Sequence, residues 1–271
     1  MDVVLIEWAQ GMQIMRLGFI GTGAIAAAII EGLCAVDRDH AITLSPRNAD
    51  VAADLAARFS NVRVAATNQA VLDASDVVFL AVRPQIADGV LRALRFRPDH
   101  HAISLIAAVS LDYLKEVTAP ASTVTRAVPI PTVAQRQGPT AFFPPHPTVK
   151  ALFEPLGTAI ELDNESEFHA FTAGTAMMAS YFQFAEAISS WMVANGVAHE
   201  KAQPYVGQML VGLGGNLGAA AGREFAALAA EYQTRGGLNE QVLNFLSAQG
   251  VFSNVSLALD AIKERLIRAQ A

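Results

Sequence analysis

The sequence contains a single cysteine, Cys34, among its 271 residues. One thiol excludes a disulfide or a thiolate metal site within the chain, and it favours a reducing, cytoplasmic location. Histidine is also scarce: only His100 and His101 are adjacent, so we predict no metal site. The chain also lacks a Gly-x-Ser-x-Gly elbow and a phosphate-binding P-loop, which argues against the enzyme classes that use them.

Charged residues make up only 16% of the chain, and the net charge is −6. A net negative charge argues against binding to nucleic acid and against binding to an anionic membrane surface. Apolar residues make up 52% of the sequence, which is a high fraction for a soluble protein. We therefore expect a small-molecule ligand and a homodimer or larger homo-oligomer that buries part of its apolar surface between subunits.

Two apolar segments resemble targeting or membrane sequences without meeting their requirements. Residues 1–14 lack the basic start of a signal peptide, so we treat them as an extension without function and Met15 as a candidate start. Residues 202–222 are uncharged, but they contain Pro204, polar amides and many glycines. This composition favours a buried or intersubunit helix over a membrane span.

The most informative stretch lies near the start of the chain. An apolar strand, Leu17–Ile20, runs into Gly21-Thr22-Gly23 and then into a helix, Ala24–Cys34. Gly21 permits the turn, Gly23 lets the backbone approach a pyrophosphate, and the small Ala26 allows close packing of helix and strand. The helix N-terminus favours negative charge. This order predicts a dinucleotide site, with a purely structural turn as the alternative.

The second strand, Ala41–Leu44, ends where dinucleotide-binding domains select their cofactor. An acidic residue there would bind the ribose 2′-hydroxyl of NAD. The sequence instead has Ser45, Arg47 and Asn48, a hydroxyl, a guanidinium and an amide that suit the 2′-phosphate of NADP. We predict NADP as the cofactor. The alternative is a polar loop in which Asn48 caps the next helix, and both interpretations are compatible.

Strand and helix patterns alternate up to about residue 162 and are helical thereafter. This order predicts an α/β fold, a Rossmann-type doubly wound and mostly parallel sheet followed by an all-α helical dimerisation domain. We place the NADP-binding domain at residues 15–162 and the helical substrate and dimerisation domain at 163–271. The further predicted strands are Val62–Val64, Asp76–Val82, Ala102–Ile106, Thr123–Val128, Thr140–Phe143 and Ala159–Leu162.

Two strand ends are candidates for cofactor contact. Arg83-Pro84-Gln85 follows the buried strand Asp76–Val82, and Pro84 begins a helix to about Leu94. Ala107 and Ala108 follow the next strand, where small side chains leave room for a nicotinamide ring. The alternative for these alanines is an ordinary tight turn.

The second half of the chain is predicted to be a helical bundle. A very long helix, Ser166–Asn195, ends at Gly196, which occupies the position of a C-terminal cap. Its small, apolar face predicts pairing with a second copy of the chain. The later predicted helices are Lys201–Ala221, Glu224–Tyr232, Asn239–Ala248 and Asn254–Arg268.

From Met15 onward these motifs resemble the pyrroline-5-carboxylate reductase family, which reduces a cyclic imine to proline with NADPH. The run from Gly18 to Ala26 matches the family's opening fingerprint, and Ser45–Asn48 stands where the family binds the 2′-phosphate. Leu80–Gln85 matches its LAVKPQ signature with Arg83 for lysine, and Ile103–Val109 is close to ISIAAGV. The cofactor-binding residues that we predict are Gly21, Thr22, Gly23, Ala24, Ile25, Ser45, Arg47, Asn48, Ala81, Val82, Arg83, Pro84, Gln85 and Ala107.

The resemblance weakens in the segments that the family uses for its substrate. Ile130 replaces an asparagine that lies near the nicotinamide in the family. Gly174–Tyr181 stands in place of Ser-Gly-Ser-Gly-Pro-Ala-Tyr, and the proline is lost. Thr234–Asn239 stands in place of Ser-Pro-Gly-Gly-Thr-Thr.

A substrate site is nevertheless predicted from these segments. Hydride transfer requires the acceptor carbon to be held against the nicotinamide, and a protonated imine needs no strong general acid. Backbone N–H groups of two glycines before a helix can bind a substrate carboxylate. The predicted catalytic residues are Thr175, Thr234 and Asn239, and the predicted substrate-binding residues are Tyr181, Arg235, Gly236 and Gly237. The alternative is a Gly-Gly helix cap with a solvated Arg235 and with Asn239 as N-cap.

Three functions compete on this sequence. The first is NADPH-dependent reduction of a C=N bond, in pyrroline-5-carboxylate or in another imine or keto substrate. The second is a hydroxyacid dehydrogenase of similar build, which ranks lower because such enzymes use a lysine in the first long helix and residues 166–195 contain none. The third is an NADPH-binding protein without turnover.

Overall fold

The computed structural model describes residues 14–36, 39–220 and 222–269; residues 1–13 of the predicted extension lie outside these ranges. The first half of the chain forms an eight-stranded sheet with the order β3-β2-β1-β4-β5-β6-β7-β8. The strands are β1 (Arg16–Ile20), β2 (Ala41–Leu44), β3 (Val62–Val64), β4 (Val77–Leu80), β5 (His101–Ser104), β6 (Thr123–Pro129), β7 (Gly138–Phe143) and β8 (Gly157–Glu161).

Helices connect these strands and predominate in the described residues after β8. In the α/β part they are α1 (Ala24–Val36), α2 (Ala49–Arg58), α3 (Asn68–Asp73), α4 (Pro84–Leu91), α5 (Leu111–Val117) and α6 (Pro147–Phe153). In the helical part they are α7 (Glu165–Gly174), α8 (Met178–Ala194), α9 (His199–Ala219), α10 (Phe225–Glu231), α11 (Leu238–Ala248) and α12 (Val251–Arg268).

The topology confirms the predicted Rossmann-type fold. Strands β1 to β6 run parallel in the order 3-2-1-4-5-6, which is the strand order of dinucleotide-binding domains. Strand β7 is antiparallel to β6, and β8 is parallel to β7. The carboxyl ends of the six parallel strands therefore meet at one edge of the sheet.

The central strands are apolar because both faces of the sheet are covered. All four residues of β4 are buried between β1 and β5. On one face Phe19 stacks on Phe79 with 4.5 Å between the ring centroids. On the other face Ile20 and Leu80 belong to a second buried cluster. Burial on both sides explains why these strands appear in the sequence as continuous apolar runs.

Helix α6 is not among the predicted helices; it follows directly on the proline-rich run Pro144-Pro145-His146-Pro147. Pro147 is the first residue of the helix, where a missing N–H is harmless and the fixed φ is favourable. The ring of His146 accepts a hydrogen bond from the Thr148 N–H and caps the helix.

The long helix predicted at Ser166–Asn195 is interrupted, and this prediction was wrong in that respect. Helix α7 ends at Gly174, a 3₁₀ turn follows at Thr175–Met177, and α8 begins at Met178. Glycine and β-branched threonine are weak helix formers, which accounts for the tightening at this point.

The end of the long helical segment is as predicted. Gly196 has φ +89, and the N–H groups of Gly196 and Val197 bond to the carbonyls of Val193 and Met192. These two bonds form a Schellman motif.

The chain divides into two compact units. One contains residues up to Thr172 together with those from Lys263 onward, and the other is Ala173–Ile262. The functional boundary at residues 162 and 163 stays a prediction.

The second unit leaves most of its large apolar side chains uncovered. Among its described residues, the buried apolar side chains are Ala173, Ala202, Val206 and Ala220. By contrast, Trp191 is 67% exposed and Leu238 is 82% exposed. A continuous core for this unit is therefore not completed within one chain.

A helix that crosses a bilayer must be both long and apolar. Within residues 14–36, 39–220 and 222–269, no single helix is long and apolar enough to cross a bilayer. Helices α11 and α12 meet the criterion only when taken together as a pair bent by 48°.

Candidate cofactor and substrate sites

The glycine turn after β1 is held tightly against the end of β4. Gly21 has φ +100, and a Cβ at this position would lie 2.6 Å from the carbonyl oxygen of Ala81. Gly23 differs, because no atom of the described residues outside its immediate surroundings lies within 4 Å of a Cβ built there. The turn therefore requires Gly21 for its own geometry, and it leaves open space at Gly23 for a ligand.

Ser45 and Thr22 fix the turn from the neighbouring strand. The Gly21 N–H donates to the Ser45 hydroxyl at 3.0 Å, and the Thr22 hydroxyl donates to the Ser45 carbonyl at 3.2 Å. Both side chains are almost fully buried. The hydroxyl of Ser45 thus faces the glycine turn, and its predicted contact with a 2′-phosphate stays a prediction.

Asn48 also supports the turn. It is the N-cap of α2, as the alternative interpretation had it, with φ +64, but its side chain makes no capping hydrogen bond. Its amide instead donates to the Thr22 carbonyl at 2.8 Å. The exposed Arg47 side chain is thereby placed on a loop that is anchored to the glycine turn.

The remaining predicted cofactor residues lie at the same sheet edge. The Ala81 N–H donates to the Ile20 carbonyl at 2.8 Å, which extends the pairing of β4 with β1 into the loop. Arg83 is the N-cap of α4 and Pro84 its first residue. The side chains of Arg83, Pro84 and Gln85 are exposed. This edge therefore brings together the N-termini of α1 and α4, both of which favour negative charge.

Backbone strain marks the loop after β5. Ala108 has φ +58, a left-handed conformation that is unfavourable for residues with a Cβ. The family sequence ISIAAGV has glycine here, so this chain tolerates a cost that glycine would avoid. Strain of this kind concentrates at functional loops.

This strain predicts a difference between two neighbouring alanines. Ala108→Gly is expected to relieve the left-handed penalty, whereas Ala107→Gly only adds freedom to the unfolded chain. We expect Ala108→Gly to be the more stable variant by about 1–2 kcal/mol in urea unfolding. Equal unfolding free energies for the two variants would contradict the strain.

The two glycines before α11, which were predicted to bind a substrate carboxylate, have other partners in the structure. The Gly236 N–H donates to the Glu240 carboxylate at 2.6 Å, and the Gly237 N–H donates to the Thr234 carbonyl at 2.7 Å. Both glycine donors therefore already have acceptors. A carboxylate from Glu240 stands where the substrate carboxylate was expected.

Asn239 has a third role that the sequence did not indicate. Gly237 is the N-cap of α11, so the predicted N-cap role of Asn239 was wrong. The Asn239 amide instead donates to the Tyr232 carbonyl at 2.9 Å, at the end of α10. This bond fixes the turn between the two helices.

The other predicted substrate residues lie in the same helical unit. Thr175 is in the 3₁₀ turn and half-buried. Tyr181 is 51% exposed, and its ring meets Phe182 edge to face. Arg235 is exposed. The catalytic and substrate-binding roles assigned to these residues stay predictions.

Two buried polar groups in the α/β unit were not recognised from the sequence. The predicted strand began at Ala102, but His101 is the first residue of β5 and only 7% exposed. Burial, and next the neighbouring His146, lower its pKa to about 3. Arg126, on β6, is 1% exposed. A histidine or arginine inside an apolar stretch is the sequence signal that would have identified both.

Comparison with known proteins covers both halves of the chain. A family model described as "NADP oxidoreductase coenzyme F420-dependent" matches residues 16–108. A second, "Pyrroline-5-carboxylate reductase dimerisation", matches residues 165–268. The two matched segments contain the glycine turn and the helical unit, respectively.

Individual relatives match over nearly the full length. The chain is 28% identical to pyrroline-5-carboxylate reductase 3 of Xenopus laevis, over 93% of this chain and 94% of the relative. The crystal structure of 1-pyrroline-5-carboxylate reductase from Streptococcus pyogenes is similar with a TM-score of 0.81 and 26% identity, covering 93% and 98% of the two chains. The Plasmodium falciparum pyrroline carboxylate reductase with NADP bound shares the fold, with a TM-score of 0.80 and 19% identity over 96% and 100%. Both halves of the chain are thus matched in order, and along almost its whole sequence the chain is similar to pyrroline-5-carboxylate reductases.

Proposed function

We propose that this protein is an NADPH-dependent reductase that transfers a hydride to the C=N bond of a small-molecule imine. The observation that carries the proposal is the glycine turn at Gly21–Gly23, with its open space at Gly23, in a chain matched by pyrroline-5-carboxylate reductases along its length. NADPH supplies the hydride, and a proton joins the imine nitrogen, so that an amine and NADP⁺ result.

The residues of this chain divide the binding of NADPH between three places. The start of α1, at Gly23, Ala24 and Ile25, would face the pyrophosphate. Arg47 would pair with the 2′-phosphate. The segments from Ala81 to Gln85 and at Ala107 would line the nicotinamide end, because they follow adjacent parallel strands.

Arg47 is the residue on which the choice of cofactor is expected to depend. Arg47→Ala should raise the KM for NADPH roughly 10- to 100-fold, since a charge-assisted hydrogen bond contributes about 1.5–3 kcal/mol. The KM for NADH should stay unchanged. Arg58→Ala, at the far end of α2, is the control and should leave both values as in the parent protein. An equal rise in the KM for NADPH and for NADH would show that Arg47 does not bind the 2′-phosphate.

A second candidate is reduction of an imine that lacks a carboxylate. It is favoured by the turn before α11, where the Gly236 N–H is bonded to Glu240 and the Gly237 N–H to Thr234. A substrate carboxylate would have to displace the Glu240 side chain and would be repelled by its charge. Pyrroline-5-carboxylate carries this group and 1-pyrroline does not.

The experiment is NADPH oxidation, followed by absorbance, with pyrroline-5-carboxylate, 1-pyrroline and their six-membered homologues. Turnover of the carboxylated rings supports proline formation, and turnover of 1-pyrroline alone supports the second candidate. A keto acid series tests the dehydrogenase alternative. NADPH binding without oxidation by any of these compounds would refute the enzymatic proposal.

We further propose that the helical domain, residues 163–271, provides both dimerisation and part of the substrate site. The match to a dimerisation family and the exposed apolar side chains of Ala173–Ile262 support a homodimer or larger assembly. The single cysteine, which is buried, supports a cytoplasmic location.

A further inference from the structure

A buried guanidinium lies beneath the loop that we assign to the nicotinamide end. Arg126 is paired in register with Ser104, the last residue of β5, and is 1% exposed. Its Nη1 lies 2.5 Å from Oε1 of Glu165, the first residue of α7. Its Cζ lies 4.1 Å from the centroid of the Phe168 ring. The side chain therefore connects the sheet edge to the first two turns of α7.

The cost of burial falls on the guanidinium, because the Arg126 side chain is 2% exposed whereas that of Glu165 is 35% exposed. Within the described part of the chain, the Nε of Arg126 has no hydrogen-bond partner. Desolvation lowers the pKa of Arg126 despite the neighbouring carboxylate. Removing a charged group from water costs free energy that one partly exposed carboxylate offsets only in part. The pair is thus poorly explained as a device for stability alone.

Glu165 has a second partner that relates the pair to the site. Its Oε1 also accepts a hydrogen bond from the Leu111 N–H at 3.1 Å. Leu111 is the first residue of α5, so this carboxylate satisfies one of the unpaired donors at a helix start. The loop of residues 105–110, with the strained Ala108, runs directly into this point.

The two ends of this loop are therefore fixed by different elements. At its start, the Leu105 N–H donates to the Leu80 carbonyl and the Ile106 N–H to the Ser104 hydroxyl. At its end, Glu165 holds the Leu111 N–H. Arg126 in turn holds Glu165, through a contact between residues 39 positions apart.

We propose that Arg126 and Glu165 are positioning residues, which set the loop of residues 105–110 against the nicotinamide ring. This inference rests on the proposed function, because it assumes that NADPH binds at this edge. The pair touches neither substrate nor cofactor, and it acts through the backbone of the loop. Loss of the pair should therefore affect the nicotinamide half of the cofactor and leave its adenosine half in place.

The test uses the full chain and three variants. Arg126→Met removes the guanidinium, Arg126→Lys keeps the charge, and the double variant Arg126→Met with Glu165→Gln leaves no unpaired charge at this position, which protects folding. Arg92→Met, which breaks exposed ion pairs to Asp88 and Glu116, is the matched control. Thermal unfolding of each variant identifies the temperature range in which it is folded.

Two readouts separate positioning from a purely structural role. The fluorescence of bound NADPH reports on the nicotinamide, and the affinity for adenosine 2′,5′-bisphosphate reports on the adenosine half alone. In Arg126→Met and in the double variant we expect altered NADPH emission with unchanged affinity for the bisphosphate. With the imine that the parent protein reduces, kcat should fall on the order of tenfold to a hundredfold, because small displacements are costly in hydride transfer. Arg126→Lys should recover part of this loss.

The outcomes are distinguishable from a failure of the proposed function. Parent-like NADPH emission and kcat in the folded double variant would overturn the positioning role. Parent protein that binds NADPH and reduces no imine would overturn the proposed reaction, and the emission of the variants would then decide the inference alone. A parent protein that fails to bind NADPH would overturn both.

Discussion

Gly23→Ala is expected to weaken NADPH binding on the order of a hundredfold, which corresponds to about 2.8 kcal/mol, while the protein remains folded. The added methyl group has room within the chain, because no described atom outside the local backbone lies within 4 Å of it. It would, however, fill the space through which the pyrophosphate approaches the backbone. The stability cost should stay within about 1 kcal/mol, the difference between glycine and alanine at a helix N-cap. Titration of NADPH fluorescence and urea unfolding measure the two effects.

Gly21→Ala, two residues earlier, should do the opposite. Its methyl group would lie 2.6 Å from the Ala81 carbonyl oxygen, and φ +100 is unfavourable for alanine, so we expect a destabilisation on the order of 3 kcal/mol. Gly89→Ala on α4, where a Cβ also meets no described atom within 4 Å, is the control for both measurements. Tight NADPH binding by Gly23→Ala would refute the assignment of the turn.

Acid is expected to destabilise the α/β domain through His101. The pKa of His101 is lowered from 6.5 to about 3, so below pH 6.5 the unfolded state binds a proton that the folded state does not. The stability is complete above pH 6.5 and is lost as the pH falls towards 3. Since one pKa unit corresponds to about 1.4 kcal/mol, the loss amounts to roughly 5 kcal/mol once the pH is well below 3.

The variant His101→Gln tests this origin. Glutamine does not titrate, and its amide can replace the 2.9 Å contact of the His101 ring with the Thr125 hydroxyl. We expect the dependence of the unfolding free energy on pH to flatten by about 1.4 kcal/mol per pH unit between pH 4 and 6. His199→Gln, at an exposed position, should leave the slope unchanged. A slope that persists in His101→Gln would assign the acid sensitivity to other groups, among them His100 and His146, whose pKa values burial also lowers.

The fold of the α/β half could be predicted because its signals are local. Each signal specifies a conformation within a few residues: the glycine turn, the apolar run of β4, and Pro84 at the first position of α4. The strand order is the one typical of the dinucleotide-binding domain that the glycine turn indicates. Helix α6 was missed because its signal, a histidine cap before Pro147, is also the pattern of a simple break.

The details of the site could not be predicted, because they depend on pairs that are distant in the sequence. Ser45 supports Gly21 from 24 residues away, and Glu165 reaches Leu111 across 54 residues. A serine after a strand has the same appearance in the sequence whether its hydroxyl faces a phosphate or a backbone N–H. For Gly236 the competing acceptor, Glu240, was only four residues away, and the N3 position of a helix is a known place for such a carboxylate.

The uncovered side chains of the helical unit have a consequence for the folding kinetics of this protein. A unit with so few buried apolar residues gains little free energy within one chain, and in the proposed homodimer the remainder would come from association. Its final ordering should therefore be a second-order reaction, whose rate rises with protein concentration, whereas the α/β domain can fold at a rate independent of concentration. Newly made chains would then populate an intermediate in which the dinucleotide domain is folded and the helical unit is not yet fully ordered.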